Sequence, residues 1–300
     1  MSGAIELIPK VPDAIINAVN NGTLAVFIGA GVSRLVGCDG WDTLARNLVR
    51  RCHKEGMINF KESETLSLGT DHKKTITICF HLFSTNGFAD IFYEEMGKAL
   101  KEGAAIATPN VYDEIYRLRG LFLTTNADTH FDRLFELPKC LFQKSDFKED
   151  RLDNTNLYHI HGSINDRSSL IFTVSEYMRR YTDPEFRRFL GKIFLERTVL
   201  FLGYGVAEFE VLDFVLKDTF KKKELAPKHF ILSPFYSGEQ NILKYEQAYY
   251  NDLDINIIGY QKDLKGFNQL IDVIKHWNEE INKVTGYLHA AVLQIDKAVV

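Results

Sequence analysis

Hydrophobic positions along the chain follow two rhythms. Residues 12–19 repeat apolar side chains at helical spacing, and Asn21-Gly22 supplies the stop. Residues 23–28 are then continuously apolar and β-rich. A strand apolar on both faces belongs at the centre of a parallel sheet. The run leads directly into Gly29-Ala30-Gly31-Val32-Ser33. Residues 41–119 are mostly helical in pattern. Further strands are predicted over 120–125, 157–161, 170–173, 199–202, 229–232 and 255–258. Helices are predicted over 175–181, 184–196, 209–220, 239–249 and 267–282, with one more in the tail, 287–300. Strands alternating with helices imply an α/β fold with a doubly wound parallel sheet.

Such sheets bind ligands beyond the carboxyl ends of their strands. Three segments fall at such ends: Gly29 to Ser33, Asn126 to Asp128 and Gly203 to Gly205; His161 closes a further strand. This coincidence argues for a single site.

Composition narrows the setting. The chain has 300 residues, 45% of them hydrophobic, enough for one large domain or two modest ones. Lys+Arg number 36 against 40 Asp+Glu, a net charge of −4, so nothing points to nucleic acid. The run Lys221-Lys222-Lys223 reads as a solvated helix end. The cysteines at 38, 52, 79 and 140 form no C-x-x-C pair, which leaves a zinc ribbon unsupported and suits a reducing cytoplasm. No signal-peptide pattern opens the chain, and no apolar run reaches the ~18 residues of a membrane span. The expectation is a cytoplasmic protein without a membrane partner. No internal repeat stands out.

Each motif has a functional and a structural reading. Small residues at Gly29 to Ser33 let backbone N–H groups approach an anion, or simply make a tight strand-to-helix turn. Arg34 breaks the G-x-G-x-x-G pattern. Asn126 and Asp128 offer an amide and a carboxylate at the sheet edge, or cap a helix over 129–135. His159 and His161, at i and i+2 of one predicted strand, share a face, as a metal pair, as two structural histidines, or with His161 as a proton relay. Gly162 favours His161 as the exposed one. No further metal ligands follow at suitable spacing, so no metal is expected. Gly203-Tyr204-Gly205 repeats the strand-then-glycine device, and two such strand ends suit a dinucleotide.

The order of these motifs resembles the sirtuin family, from about residue 24 to residue 260. The wording of Thr124-Thr125-Asn126-Ala127-Asp128 with Thr129-His130-Phe131-Asp132, and of Gly203-Tyr204-Gly205-Val206-Ala207-Glu208, is closest to bacterial defence-associated sirtuins, NAD-depleting anti-phage effectors. The resemblance implies a Rossmann-like fold with a mostly helical insertion and NAD as substrate. Gly29, Ala30, Gly31, Val32 and Ser33 would hold the phosphates. Gly203, Tyr204 and Gly205 would meet the adenosine half, with Trp41, Asp42 and Thr125 as further contacts. Asn126, Asp128 and His161 would be catalytic. Protein-deacylating sirtuins carry Pro-Asp-Phe-Arg after the first turn, where this chain has Gly37-Cys38-Asp39-Gly40-Trp41-Asp42. They also carry a four-cysteine zinc module after the histidine, where this chain has Arg167-Ser168-Ser169. Trp41-Asp42-Thr43-Leu44 resembles the defence type, although Trp41 also suits a buried helix-start anchor.

The implied activity is hydrolysis of NAD to nicotinamide and ADP-ribose. The alternatives are an NAD-dependent protein deacylase and a non-catalytic NAD or ADP-ribose sensor. The expected organisation is one catalytic domain over 1–285, with the insertion at about 42–119 as a lid or subunit interface. A C-terminal helix over 286–300 would open a further, regulatory region. A homo-oligomer is expected on general grounds, as is control by that region or by a protein activator.

Overall fold

The computed structural model describes residues 4–205 and 229–298, including every side chain in those spans except Leu137 and 287–298. The predicted helix over 209–220 and the lysine run at 221–223 lie outside the described residues.

The strands are β1 (Leu24–Ile28), β2 (Leu121–Thr124), β3 (Cys140–Leu141), β4 (Leu157–His159), β5 (Thr198–Leu202), β6 (His229–Phe235) and β7 (Ile255–Gln261). They form one sheet in the order β3-β4-β2-β1-β5-β6-β7. Every pairing is parallel. The fold is therefore the doubly wound, Rossmann-like α/β architecture that the alternation implies.

Both faces of the central strands are covered, which is why they read as unbroken apolar runs. Leu24, Val26 and Ile28 of β1 and Leu200 and Leu202 of β5 point into one core. Helices α1 (Asp13–Asn20) and α7 (Val111–Tyr116) pack there. Ala25, Phe27, Val199 and Phe201 point into the opposite core, covered by α8 (Val174–Tyr181) and α9 (Pro184–Glu196). The segment between β1 and β2 also holds α2 (Ala30–Leu35), α3 (Trp41–Lys54), α4 (Phe60–Ser67), α5 (His72–Thr85) and α6 (Ala89–Ala99).

That helical segment has a third core of its own. Leu44, Leu48, Ile76, Phe83, Phe92 and Met96 pack together with Ala127, Ile164, Leu170 and Phe172. The helices thus close over the loops that follow β2 and β4.

Residues 170–173 and the tail differ from the sequence expectation. Residues 170–173 form no strand: Ile171 N–H donates to His161 O at 3.0 Å, and the chain turns straight into α8. Their hydrophobicity is spent in a loop instead, with Leu170 and Phe172 in the helical core and Ile171 in a sheet core. The tail is not a separate helix. After α10 (Gln240–Asn251), the last helix runs without a break from Gln269 to Ala298 as α11, through Gly286.

Candidate active site

The strand order reverses at β1, between β2 on one side and β5 on the other, and the two glycine turns meet there. Gly29 N–H donates to Leu202 O and Gly31 N–H to Gly203 O, both at 2.9 Å. A Cβ on Gly31 would lie 2.7 Å from Gly203 O. Gly203 has φ +66°, and a Cβ there would lie 2.5 Å from Val32 N. Glycine at both positions lets two backbones touch, leaving the β1–α2 turn open beyond them. Val32 itself is fully buried core, so only its backbone belongs to the turn. Tyr204 packs edge-on to Phe27 and Phe201 with ring centroids 5.4 Å apart, so its backbone rather than its ring follows the turn.

Beside this junction, β2 delivers Thr125, Asn126 and Asp128. Thr125 N–H donates to Ile28 O at 3.0 Å, which continues the β1–β2 ladder. The Asn126 side chain is 7% exposed, and its Nδ2 donates to Gly29 O at 3.0 Å. The amide therefore ties the second loop to the first. Asp128 is 2% exposed; its Oδ2 accepts from Ser33 Oγ at 2.5 Å. The Tyr112 hydroxyl lies 3.1 Å from Ser33 Oγ and 3.4 Å from Asp128 Oδ1. Burial and the Asp128 charge hold the Tyr112 hydroxyl protonated, well above its usual range. The helix expected over 129–135 is only a 3-10 turn over Asp132–Leu134, with His130 N–H on Asp128 Oδ1 at 3.2 Å.

The two histidines do not share a ligand. Strand β4 ends at His159, and Gly162 turns the chain with φ +83°, where a Cβ would strike Ser169 O. His159 places Nδ1 3.0 Å from Asn126 O and Nε2 2.9 Å from Asp132 Oδ1. Both partners are acceptors, so both ring nitrogens carry protons. Burial opposes that charge, but Asp132 outweighs it and the pKa is raised. His161 differs: Nε2 lies 2.7 Å from the Tyr181 hydroxyl, and Tyr177 packs edge-on at 5.0 Å. Burial, then the charges of Arg180 and Lys73, pull its pKa down to about 3. His161 is neutral at physiological pH; at 7% exposure against 0% for His159 it is the more accessible of the two, but both are buried.

Two adjoining cavities open at the junction. The larger, about 470 Å³, is lined by Ala30, Gly31 and Gly203 to Gly205, and by Trp41 and Asp42 at the start of α3. Its remaining wall is apolar: Leu232, Pro234, Tyr260, Phe267 and Leu270. The volume falls in the range of small-molecule sites. The smaller, about 50 Å³, shares Ala30, Gly40 and Trp41 and reaches Ser33, Cys38, Asn126 and Asp128. Trp41 stacks at an angle on Phe172, centroids 5.6 Å apart, and forms a wall common to both. Asp42 pairs with Arg46 at 2.7 Å. His161 lines neither cavity.

Sequence reasoning missed Arg34 and His72 in the larger cavity, and the residues at the ends of β6 and β7. Strand ends were the available signal for Pro234 and Tyr260. Tyr112 and Tyr181 had none, because they reach the site from helices distant in sequence. Among the described residues, Cys38, Asp128 and His130 bring possible metal-ligand atoms within 4.8 Å of one another. Their polar atoms have other partners: Cys38 Sγ donates to Leu100 O at 3.4 Å, and His130 Nε2 lies 2.9 Å from the same oxygen. Burial, then the Asp128 charge, pushes the Cys38 thiol up to about 12.

No helix among the described residues is long and apolar enough to cross a membrane. A comparison with curated proteins finds no match. Residues 120–258 match the family model described as a SIR2-like domain. The matched span runs from the start of β2 into β7 and carries Asn126, Asp128, His161 and the Gly203 turn. This match supports a sirtuin-like family for the chain.

Proposed function

We propose that the chain is an NAD hydrolase that cleaves the nicotinamide–ribose bond. The observation that carries the reading is the junction itself. Two glycine-ended strands touch at the reversal point of a parallel sheet, beside a cavity of about 470 Å³, with Asn126 and Asp128 in the adjoining pocket. Backbone N–H groups of the β1–α2 turn would hold the pyrophosphate. The apolar wall at the ends of β6 and β7 would take the adenosine half. The smaller pocket would take the nicotinamide ribose.

In the reaction, the C–N bond breaks and its electron pair leaves with neutral nicotinamide. A water oxygen bonds to the ribose carbon and releases one proton, giving ADP-ribose. Asn126, held by Gly29 O, orients the ribose or the water. Asp128, fixed by Ser33, faces the positive charge that develops on the ribose. His161 is neutral, but it lines neither cavity and its Nε2 faces the Tyr181 hydroxyl, so it would take the released proton through a relay rather than directly from the attacking water; an oxocarbenium-like centre needs only a weak base. Positioned acid–base help of this kind contributes ~10²–10⁴-fold.

Hydrolysis is preferred to deacylation because the segment after His161 is short and closed. Residues 162–173 fold back on His161 and into the helical core. Among the described residues the four free cysteines do not gather into one cluster; only Cys52 and Cys79 meet. In a cell, the same activity would deplete NAD, the action of an anti-phage effector. Turnover in H₂¹⁸O tests the chemistry. One ¹⁸O in ADP-ribose is expected; O-acyl-ADP-ribose formed only with an acyl-lysine peptide would instead establish deacylation.

A further inference from the structure

A separate cavity of about 210 Å³ lies where the turn after β3 meets α8, the start of α9 and the loop before α8, and it shares no lining residue with the two cavities above. Arg180 lines it, with Arg179, Lys144 and Ser168. The Arg180 guanidinium lies over Phe147 at 4.6 Å and Phe186 at 5.3 Å. Aromatic faces attract the cation but accept no conventional hydrogen bond from it. Its Nη1 is enclosed and makes no hydrogen bond among the described residues. A buried cationic N–H without an acceptor is costly, and the fold retains one here.

Two carboxylates at the cavity wall have other hydrogen-bond partners, although the Asp183 charge still acts on Arg180. Glu176 accepts from Phe172 N at 2.9 Å and Thr173 N at 2.8 Å. Asp183 accepts from Glu185 N at 2.9 Å and Phe186 N at 3.2 Å, and pairs with Lys144 at 2.5 Å. Arg180 thus lines a cavity large enough for a small anion, and Arg179, which also lines it, is exposed.

We infer that this cavity is a binding site for a compact oxyanion of the phosphate-monoester class, held by the Arg180 guanidinium. A planar guanidinium matches such a group with paired hydrogen bonds. The site adjoins the catalytic loop: Ile171, in its wall, donates to His161 O, and Tyr181, next to Arg180, holds His161 Nε2. An anion on Arg180 would offset a charge that now disfavours protonation of His161. The binding claim itself does not depend on NAD cleavage.

Titration calorimetry of inorganic phosphate into the full chain tests it, with sodium chloride at matched ionic strength as the control. Saturable binding at one site is expected. Arg180→Gln should weaken it at least about tenfold. Arg179→Glu, at an exposed lining position, should weaken it without disturbing the fold, so it carries the test if Arg180→Gln does not fold. Absence of saturable binding, an equal response to chloride, or binding unchanged in Arg179→Glu and in a folded Arg180→Gln would overturn the assignment.

Discussion

Gly31 N–H donates to Gly203 O across 2.9 Å, so the turns after β1 and β5 form one backbone junction. Either glycine replaced by alanine should break it. Gly203→Ala adds a Cβ 2.5 Å from Val32 N in a left-handed conformation. Strain of that kind costs about 1–3 kcal/mol before the clash is counted. A lower thermal midpoint and loss of ADP-ribose binding are expected. Gly205→Ala, with no atom within 4 Å of its Cβ, should leave the midpoint unchanged. Calorimetry on the three proteins checks both statements.

The Ser33–Asp128 pair should behave as one unit. Ser33→Ala and Asp128→Asn are expected to be non-additive, with a coupling of about 1–3 kcal/mol, because each leaves a buried partner unmatched. A double-mutant cycle by urea unfolding reads this directly. Strict additivity would mean that the short contact contributes nothing.

His161 and the cavity beside the glycine junction should separate kinetically. Because His161 lines neither cavity, His161→Ala should lower kcat by about 10²-fold or more and leave KM for NAD near its original value. A matching rise in KM would assign His161 to binding instead.

The histidines also predict a pH dependence of stability. The pKa of His159 is raised above 6.5 by Asp132. Its contribution is complete below 6.5 and is lost as pH rises through the higher folded value. His161 and His229 are pulled down to about 3 and about 4. Below about pH 6.5 the unfolded chain binds protons that these folded histidines refuse, so stability falls on acidification. Asp132→Asn should remove the alkaline loss and leave the acid loss in place. Urea titrations across pH 4–9, on wild type and variant, test both arms.

What could be read from the sequence follows from how much of each signal is local. β1 and β5 were legible because strands buried on both faces leave uninterrupted apolar runs, and each run ends at a glycine. The run over 170–173 has the same composition, but its side chains divide between two cores from within a loop, which periodicity does not distinguish from a strand. The i, i+2 rule puts His159 and His161 on one face only while the strand continues. It stops at His159, and Gly162 turns the chain. Asn126 and Asp128 could be located at the end of β2. The ties of Asp128 to Ser33 and Tyr112 could not, because they arise from packing between distant segments.

The most direct test of NAD cleavage is consumption of NAD by the purified protein with no peptide present, the products resolved by mass spectrometry. Nicotinamide and ADP-ribose in equal amounts, lost in Asn126→Ala, is the predicted result. NAD bound but left intact, or turnover undiminished in Asn126→Ala, would contradict it.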